Sequence, residues 1–342
     1  MIVDPKSRIP IYKQLVDYFE HGARDGSLAP GTLLPSMNDL AAQYGISRET
    51  AKKAYGILVK AGVIIPRHGK GFYIAEHRGD EKLRILLILD ELSIYKQIMF
   101  HSLSDALADK ADITIVNHGQ NLDLLAYYLD ENLDEFDYYL IAPHFSLDDE
   151  TTAQVVKQLD RVPNRKLIML DRFIDLGQGH YGAVYQDFEN DIYDGLGQGA
   201  DPAGAKRTKR LRVLTLPTSL YGSMICRGVE RYMVDHTGLP VEFILEVPDD
   251  IQPGDTFLVL NSKLDSGLVA LANRIKAKGF TPGKEVFIIS YNEYDINELV
   301  LGGLTTVSTD FPAMGRIAAG MILSGELEKV HSPFRMTRRS TF

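Results

Sequence analysis

Two groups of residues in this chain have the types and spacing to do chemistry. The first is Ser47-Arg48-Glu49-Thr50-Ala51-Lys52-Lys53, followed within twenty residues by Arg67-His68-Gly69-Lys70-Gly71. Arginine and lysine pair with guanine O6 and N7 or with phosphate oxygens, and glycines let a basic turn approach a backbone closely, so both segments suit a nucleic-acid surface. The second group is a series of polar residues that each follow an apolar run. It comprises Asp90-Glu91, Asn117-His118, Pro143-His144-Phe145, Asp171-Arg172, Pro217-Thr218-Ser219, Asn261-Ser262-Lys263 and Tyr291-Asn292-Glu293. Planar donors and acceptors for adjacent hydroxyls, with Tyr95, Phe145, Tyr221 and Tyr291 offering faces to C–H bonds, are what a sugar ring requires.

Catalytic patterns are missing. No His-x-x-x-His pair, Gly-x-Ser-x-Gly elbow or phosphate loop occurs, and the one cysteine, Cys226, precludes an internal disulfide and a multi-thiolate zinc site. The expectation is a non-enzyme with no catalytic residue, cofactor or metal ligand, in a reducing compartment such as the cytoplasm. Neither an apolar signal core nor a membrane-length apolar run is present, so no membrane partner is expected. Gly195-Leu196-Gly197-Gln198-Gly199, with the basic run Lys206–Arg210 behind it, reads as a surface loop over 195–210.

The elements that position the first group are short helices. From Pro10 the spacing of Tyr12, Leu15, Val16 and Phe19 predicts a helix with one buried stripe. Residues 35–44 form a second helix that Gly45 ends, and Ser47 caps a third with Ala51, Ala54, Tyr55 and Leu58 inside. Two helices joined by a glycine turn, the second basic on its outer face, describe a helix-turn-helix. The strands 63–66 and 72–74 around the basic glycine turn then make a hairpin wing. Charge follows this division. The net charge is −9, yet the first eighty residues hold 11 Lys/Arg against 8 Asp/Glu, while the rest hold 26 against 38. A small basic module sits on an acidic body.

The motifs Ile11-Tyr12-Lys13-Gln14-Leu15, Leu34-Pro35-Ser36, Leu40-Ala41, Ile46-Ser47-Arg48-Glu49-Thr50-Ala51 and Arg67-His68-Gly69-Lys70-Gly71 resemble the signature of GntR-family winged-helix regulators. The resemblance implies DNA contacts from Arg48, Thr50 and Lys52 and from the wing tip at His68 and Lys70. Ser36, Asn38, Ser47, Glu49, Arg67 and Gly69 complete the candidate DNA-binding set. Many members carry arginine where this chain has Asn38.

Beyond a polar linker at 76–82, apolar runs alternate with helical stretches in two successive series. Continuous Val/Ile/Leu strands separated by helices predict parallel sheets covered on both faces, here two α/β lobes. Ligands in such lobes sit at the carboxyl ends of the strands, where the second group of residues lies. The domains expected are a winged helix-turn-helix over 1–75, the linker, and a two-lobed α/β effector-binding and dimerisation domain over 83–342. Leu170-Asp171-Arg172, Asp187-Phe188-Glu189-Asn190, Leu304-Thr305-Thr306-Val307 and Arg339-Ser340-Thr341 make this body similar to the effector domain of LacI-type repressors and periplasmic sugar-binding proteins. Ile225 and Asn292 stand where that family often has an effector-binding arginine and an aspartate. The candidate effector residues are Asp90, Tyr95, His144, Asp171, Arg172, Tyr221, Lys263, Asn292 and Glu293.

The two resemblances together imply a homodimeric regulator, similar to arabinose- or fucose-responsive members, that binds double-stranded operator DNA. A small neutral sugar held between the lobes would reset the spacing of the paired readers and so alter operator affinity. The other reading is a sugar sensor that acts through a protein partner instead of DNA.

Overall fold

The computed structural model describes residues 3–342 except 6, 8, 25, 76–81, 134, 178, 199–207, 216–219 and 261–266. The chain divides into two compact units, Met1–Tyr185 with Met314–Val330, and Gln186–Ala313 with His331–Phe342.

The first unit begins with the small helical module. Helix α1 (Ile11–Arg24) buries Leu15 and Phe19. Helix α2 (Met37–Tyr44) starts at Ser36, whose hydroxyl accepts the Asp39 amide hydrogen at 3.2 Å, and stops at Gly45 with φ +63°. That left-handed turn costs glycine little. Helix α3 (Arg48–Lys60) is capped by Ser47, which accepts the Thr50 amide at 3.0 Å, and it buries Ala51, Ala54, Tyr55 and Leu58 as the spacing predicts. Strands β1 (Ile64–Arg67) and β2 (Gly71–Ile74) pair antiparallel with Arg67 opposite Gly71. Tyr55 sits at the centre of this core. Its ring meets Phe19 and Phe72 edge-on, at 5.8 and 4.9 Å, and its hydroxyl donates to the Pro35 carbonyl at 2.7 Å.

The lobe in the same unit has β3 (Leu83–Leu89), β4 (Ala111–Asn117), β5 (Tyr138–Ile141), β6 (Leu167–Asp171) and β7 (Gly182–Tyr185). These strands are parallel and stand in the order β7-β6-β5-β3-β4. Helices α4 (Ile94–Leu107), α5 (Leu122–Asn132) and α6 (Asp149–Leu159) follow the strands and bury their apolar stripes on the sheet.

The second unit repeats the plan. Helix α7 (Phe188–Gln198) leads to β8 (Arg210–Leu214), α8 (Gly222–His236), β9 (Val241–Ile244), β10 (Asp255–Val259), α9 (Leu268–Ala277), β11 (Phe287–Tyr291) and β12 (Thr305–Thr309). Helix α10 (Phe311–Ser324) then carries the chain into the first unit, where β13 (Lys329–His331) joins the edge beside β7. Strand β14 (Phe334–Thr337) closes the second sheet antiparallel to β12, giving the order β14-β12-β11-β10-β8-β9.

The structure corrects the expected loop over 195–210. Residues 195–198 are the last turn of α7, and Gly195 is buried because the Phe334 ring lies against it: a Cβ there would fall 2.6 Å from that ring. Residues 199–207 lie outside the described residues. Arg210 already belongs to β8, with its guanidinium on Asp255 at 2.9 and 3.0 Å and on Glu242 at 3.1 Å. Two short strands, β13 and β14, also lie where the apolar pattern predicted none.

Helices α7 and α8 pack at a glycine. A Cβ on Gly228 would fall 2.2 Å from the Glu189 carbonyl oxygen, backbone that cannot rotate away. Gly228→Ala is therefore expected to destabilise the second unit by about 1–3 kcal/mol, read as a lower urea midpoint.

Candidate functional site

The basic face of the first module stands clear of its core. Arg48, Glu49 and Lys52 project from the first turns of α3 and are exposed, as is Asn38 on α2. Lys52 lies 3.8 Å from Glu49, a solvated pair that a phosphate could readily displace. The Thr50 hydroxyl shares a 2.8 Å hydrogen bond with Ser47, so both serve the helix cap. Ser36 likewise spends its hydroxyl on Asp39, at 2.7 Å. Lys53 rests 3.8 Å above the Tyr12 ring and belongs to packing. At the wing, Arg67 stacks over Tyr73 at 4.6 Å, and the Lys70 amide closes the turn on the Arg67 carbonyl at 2.9 Å. His68, Gly69 and Lys70 form its exposed tip, with φ +70° at Gly69 and +101° at Gly71.

The candidate effector residues of the first lobe converge at the carboxyl ends of β3 and β6. Asp90 and Asp171 flank a lysine that the sequence reading passed over, Lys96 of α4. Its Nζ lies 3.1 Å from Asp90 Oδ1 and in short contact with Asp171 Oδ2. All three are buried, with Lys96 only 1% exposed. His144 Nε2 approaches the same Asp171 oxygen at 2.9 Å. Arg172 turns beside it and donates to the carbonyls of Pro143 and Phe145 at 3.2 and 3.0 Å. Tyr95, half-buried on α4, donates to Glu91 at 3.2 Å. His118 is fully buried, stacked on Phe145 at 4.4 Å with Nε2 3.0 Å from the Ala142 carbonyl.

Electrostatics in this cluster are set by contest. Burial alone would pull the Lys96 ammonium down, but Asp171 and Asp90 outweigh it and hold the group charged. Burial would push the Asp171 carboxyl up, but Lys96 and His144 prevail and keep it well below the usual carboxylate range. Burial lowers the His118 imidazole, which is neutral. The spacing of Lys96, Met99, Leu103 and Leu107, all buried on α4, was the available signal for a lysine facing inward.

Backbone strain marks the same place in each lobe. Asp171 ends β6 at φ +71°, and Asn292 follows β11 at φ +76°. A left-handed non-glycine residue costs about 1–3 kcal/mol and persists where side-chain chemistry demands it. Asn292 is buried, and its amide donates to Val307 at 2.8 Å. Glu293 beside it is gripped by both guanidinium nitrogens of Arg339, at 2.8 and 3.0 Å, and by the Thr306 hydroxyl. That carboxylate thus ties the C-terminal segment to β12. Tyr221, at the start of α8, stacks face to face on Phe188 at 4.0 Å and is 9% exposed. Lys263, with residues 217–219 and 261–262, lies outside the described residues.

Removing Lys96 leaves two buried carboxylates without their counter-charge. Lys96→Met is expected to cost about 3–5 kcal/mol in the first unit. The sign with pH follows from the depressed Asp171 value. Its stabilisation is present above about pH 4, its unfolded range, and fades as pH falls below that. Wild-type melting temperature should therefore drop on acidification from pH 5 to 3, and the gap between wild type and Lys96→Met should narrow over that interval.

Comparisons with known proteins match the two parts of the chain separately. A model for bacterial regulatory proteins of the gntR family matches residues 11–74. The repressor NagR of Bacillus subtilis is 32% identical over 91 residues, 27% of this chain and 37% of its own length. The repressor YtrA of the same organism is 36% identical over 75 residues, 22% of this chain and 58% of its own. The chain thus spans roughly two fifths to three fifths of these relatives. Among solved structures, the trehalose repressor of Escherichia coli superposes with a TM-score of 0.58 at 13% identity, covering 75% of this chain and all of that one. A ribose-bound LacI-family regulator of Enterococcus faecium gives 0.55 at 16% identity, covering 75% and 98%. Residues 11–74 thus match the model for bacterial regulatory proteins of the gntR family, and they are joined to a two-lobed body with the LacI-type, periplasmic-binding-protein-like fold.

Proposed function

We propose that this protein is a homodimeric, cytoplasmic, sequence-specific DNA-binding regulator, a repressor of genes for carbohydrate use, under the control of a small neutral sugar. The observation that carries the reading is the exposure of Arg48, Lys52, His68 and Lys70 on a module whose core is otherwise closed. In this reading the start of α3 enters the major groove, where the Arg48 fork meets a guanine, and the wing tip tracks the adjacent phosphates. The acidic body repels DNA, so affinity rests on these few cations and falls steeply with salt. Dimerisation supplies the second half-site that one weakly basic module needs. The regulator carries no catalytic activity, and the relatives named above are repressors.

The sugar is read by Asp90, Asp171, His144 and Arg172 in the first lobe, with Tyr221 and Asn292 as candidates in the second. Carboxylates accept from paired hydroxyls, and the Arg172 fork donates. The Lys96 charge is already spent between two carboxylates, which leaves little positive field for a phosphate and favours a neutral sugar; L-arabinose and L-fucose are the candidates that the resemblance implies.

Two measurements test this. In gel-shift assays with DNA from the protein's own promoter region, Arg48→Ala should weaken binding about tenfold or more, and Lys70→Ala should lower the salt slope by about one. Full shift by Arg48→Ala would overturn the docking, and no shift by wild type would favour a sensor acting through a protein partner. In a thermal-shift screen on the full chain, the cognate sugar at a hundredfold excess over its Kd should add about 2.7 kcal/mol, and Asp171→Asn should abolish the response.

A further inference from the structure

Helix α1 has two faces, and only one belongs to its own module. Leu15 and Phe19 enter the helix-turn-helix core, whereas Asp17, Glu20 and His21 form a polar stripe at i, i+3 and i+4. No residue from Ile11 to Ala23 is exposed, although Arg48, Glu49, Lys52, Lys53 and Lys60 of α3 all are. Glu20 and His21 of this stripe meet the first lobe. Glu20 Oε2 lies 3.2 Å from Lys166 Nζ, and neither side chain is more than 16% exposed. Lys166 also donates to the Phe136 carbonyl at 3.3 Å, which fixes the ammonium from the lobe side. One residue on, the His21 ring rests on Gly325, where a Cβ would fall 2.5 Å from Nε2. Gly325 is the turn that ends α10, with φ +72° and its amide on the Met321 carbonyl at 2.9 Å. An ion pair shielded this far from water is screened less than a surface pair, and at φ +72° glycine gives the ring a seat without backbone strain.

The position of Lys166 in the sheet gives the contact a further meaning. It is the residue before β6, and Asp171 is the last residue of β6. The two are five steps apart on one strand, about 17 Å. Strand β6 is buried along its whole length and hydrogen-bonded on both sides, to β5 and β7, so its ends move together. One end carries the Lys96–Asp171–His144 cluster and the other holds Glu20.

We propose that the polar face of α1 docks the reading module onto the first lobe through Glu20–Lys166 and His21–Gly325, and that β6 relays the state of the Asp171 cluster to this dock. The dock leaves the start of α3 and the wing tip uncovered, so it sets the pose of the reader and does not mask it. The relay rests on the effector reading given above. The dock does not.

A water-soluble carbodiimide tests both parts without DNA or sugar. It condenses a carboxylate with an amine in ion-pair contact to an amide, taking up the water as a urea. Mass spectrometry of the digested full chain should find a Glu20–Lys166 amide in wild type and none in Glu20→Gln. The solvent-exposed Lys82–Asp112 pair, at 3.1 Å, is the internal control. Asp171→Asn should change the Glu20–Lys166 yield at least twofold with the control unchanged. His144→Ala, which spares the Lys96–Asp171 contact, should do so if Asp171→Asn does not fold. Coupling of the control pair alone in wild type would overturn the dock. A yield that stays within twofold in the folded variants would overturn the relay. The operator reading is decided separately by the Arg48→Ala shift.

Discussion

A fully buried ammonium has to be matched by anions, and that constraint organises the first lobe. Lys96 reaches the strand ends from α4, Asp90 arrives from β3 and Asp171 from β6, so three elements distant in sequence are locked by one charge balance. Asp171 accepts the left-handed backbone that brings its carboxylate into place, and His144 and Arg172 arrange themselves around it. None of these groups is individually comfortable. A buried lysine without carboxylates loses its proton, and buried carboxylates without lysine gain one. The polar end of the sheet is consequently a single unit, rigid because every member compensates another.

The reading module solves the opposite problem. Its core is aromatic and aliphatic, closed around Tyr55, and its charges lie outside. In the proposed reading, cations that exchange water for phosphate gain from remaining solvated and loosely paired, as Lys52 is with Glu49. The two sites therefore use charge differently: one is pre-assembled and dry, the other open. Helix α1 lies between these regimes, apolar toward the reader and ionic toward the lobe.

Much of this was legible in the sequence, for reasons that differ by element. The three helices of the module follow from local spacing and from the stop at Gly45 and the cap at Ser47, since helix periodicity is a short-range property. The two parallel sheets follow from continuous apolar runs such as Leu83–Leu89, which only double-sided burial explains. Three kinds of feature were hidden. Strands β13 and β14 are short and lack such runs; β14 reads Phe-Arg-Met-Thr, an edge strand half facing water. The glycines at 195 and 197 resembled a loop, yet Gly195 is helical because Phe334, some 140 residues on, requires the space. Lys96 was passed over because a lysine in an apolar stripe with Met99, Leu103 and Leu107 declares itself only when that spacing is read as one face. Strand-end residues of the first lobe were identifiable from topology alone, whereas the role of Glu293 as a clamp on Arg339 depends on a C-terminal partner that strand ends do not predict.

The paired left-handed residues at the two strand ends set durability against recognition. Glycine at position 292 would relieve the torsional penalty there and harden the second lobe against heat, at the loss of an amide that a ligand could use. Glycine at position 171 would relieve the same penalty but strand the Lys96 charge, so it brings no such gain. Under the effector reading proposed above, selection for thermal tolerance alone should therefore erode Asn292 before Asp171.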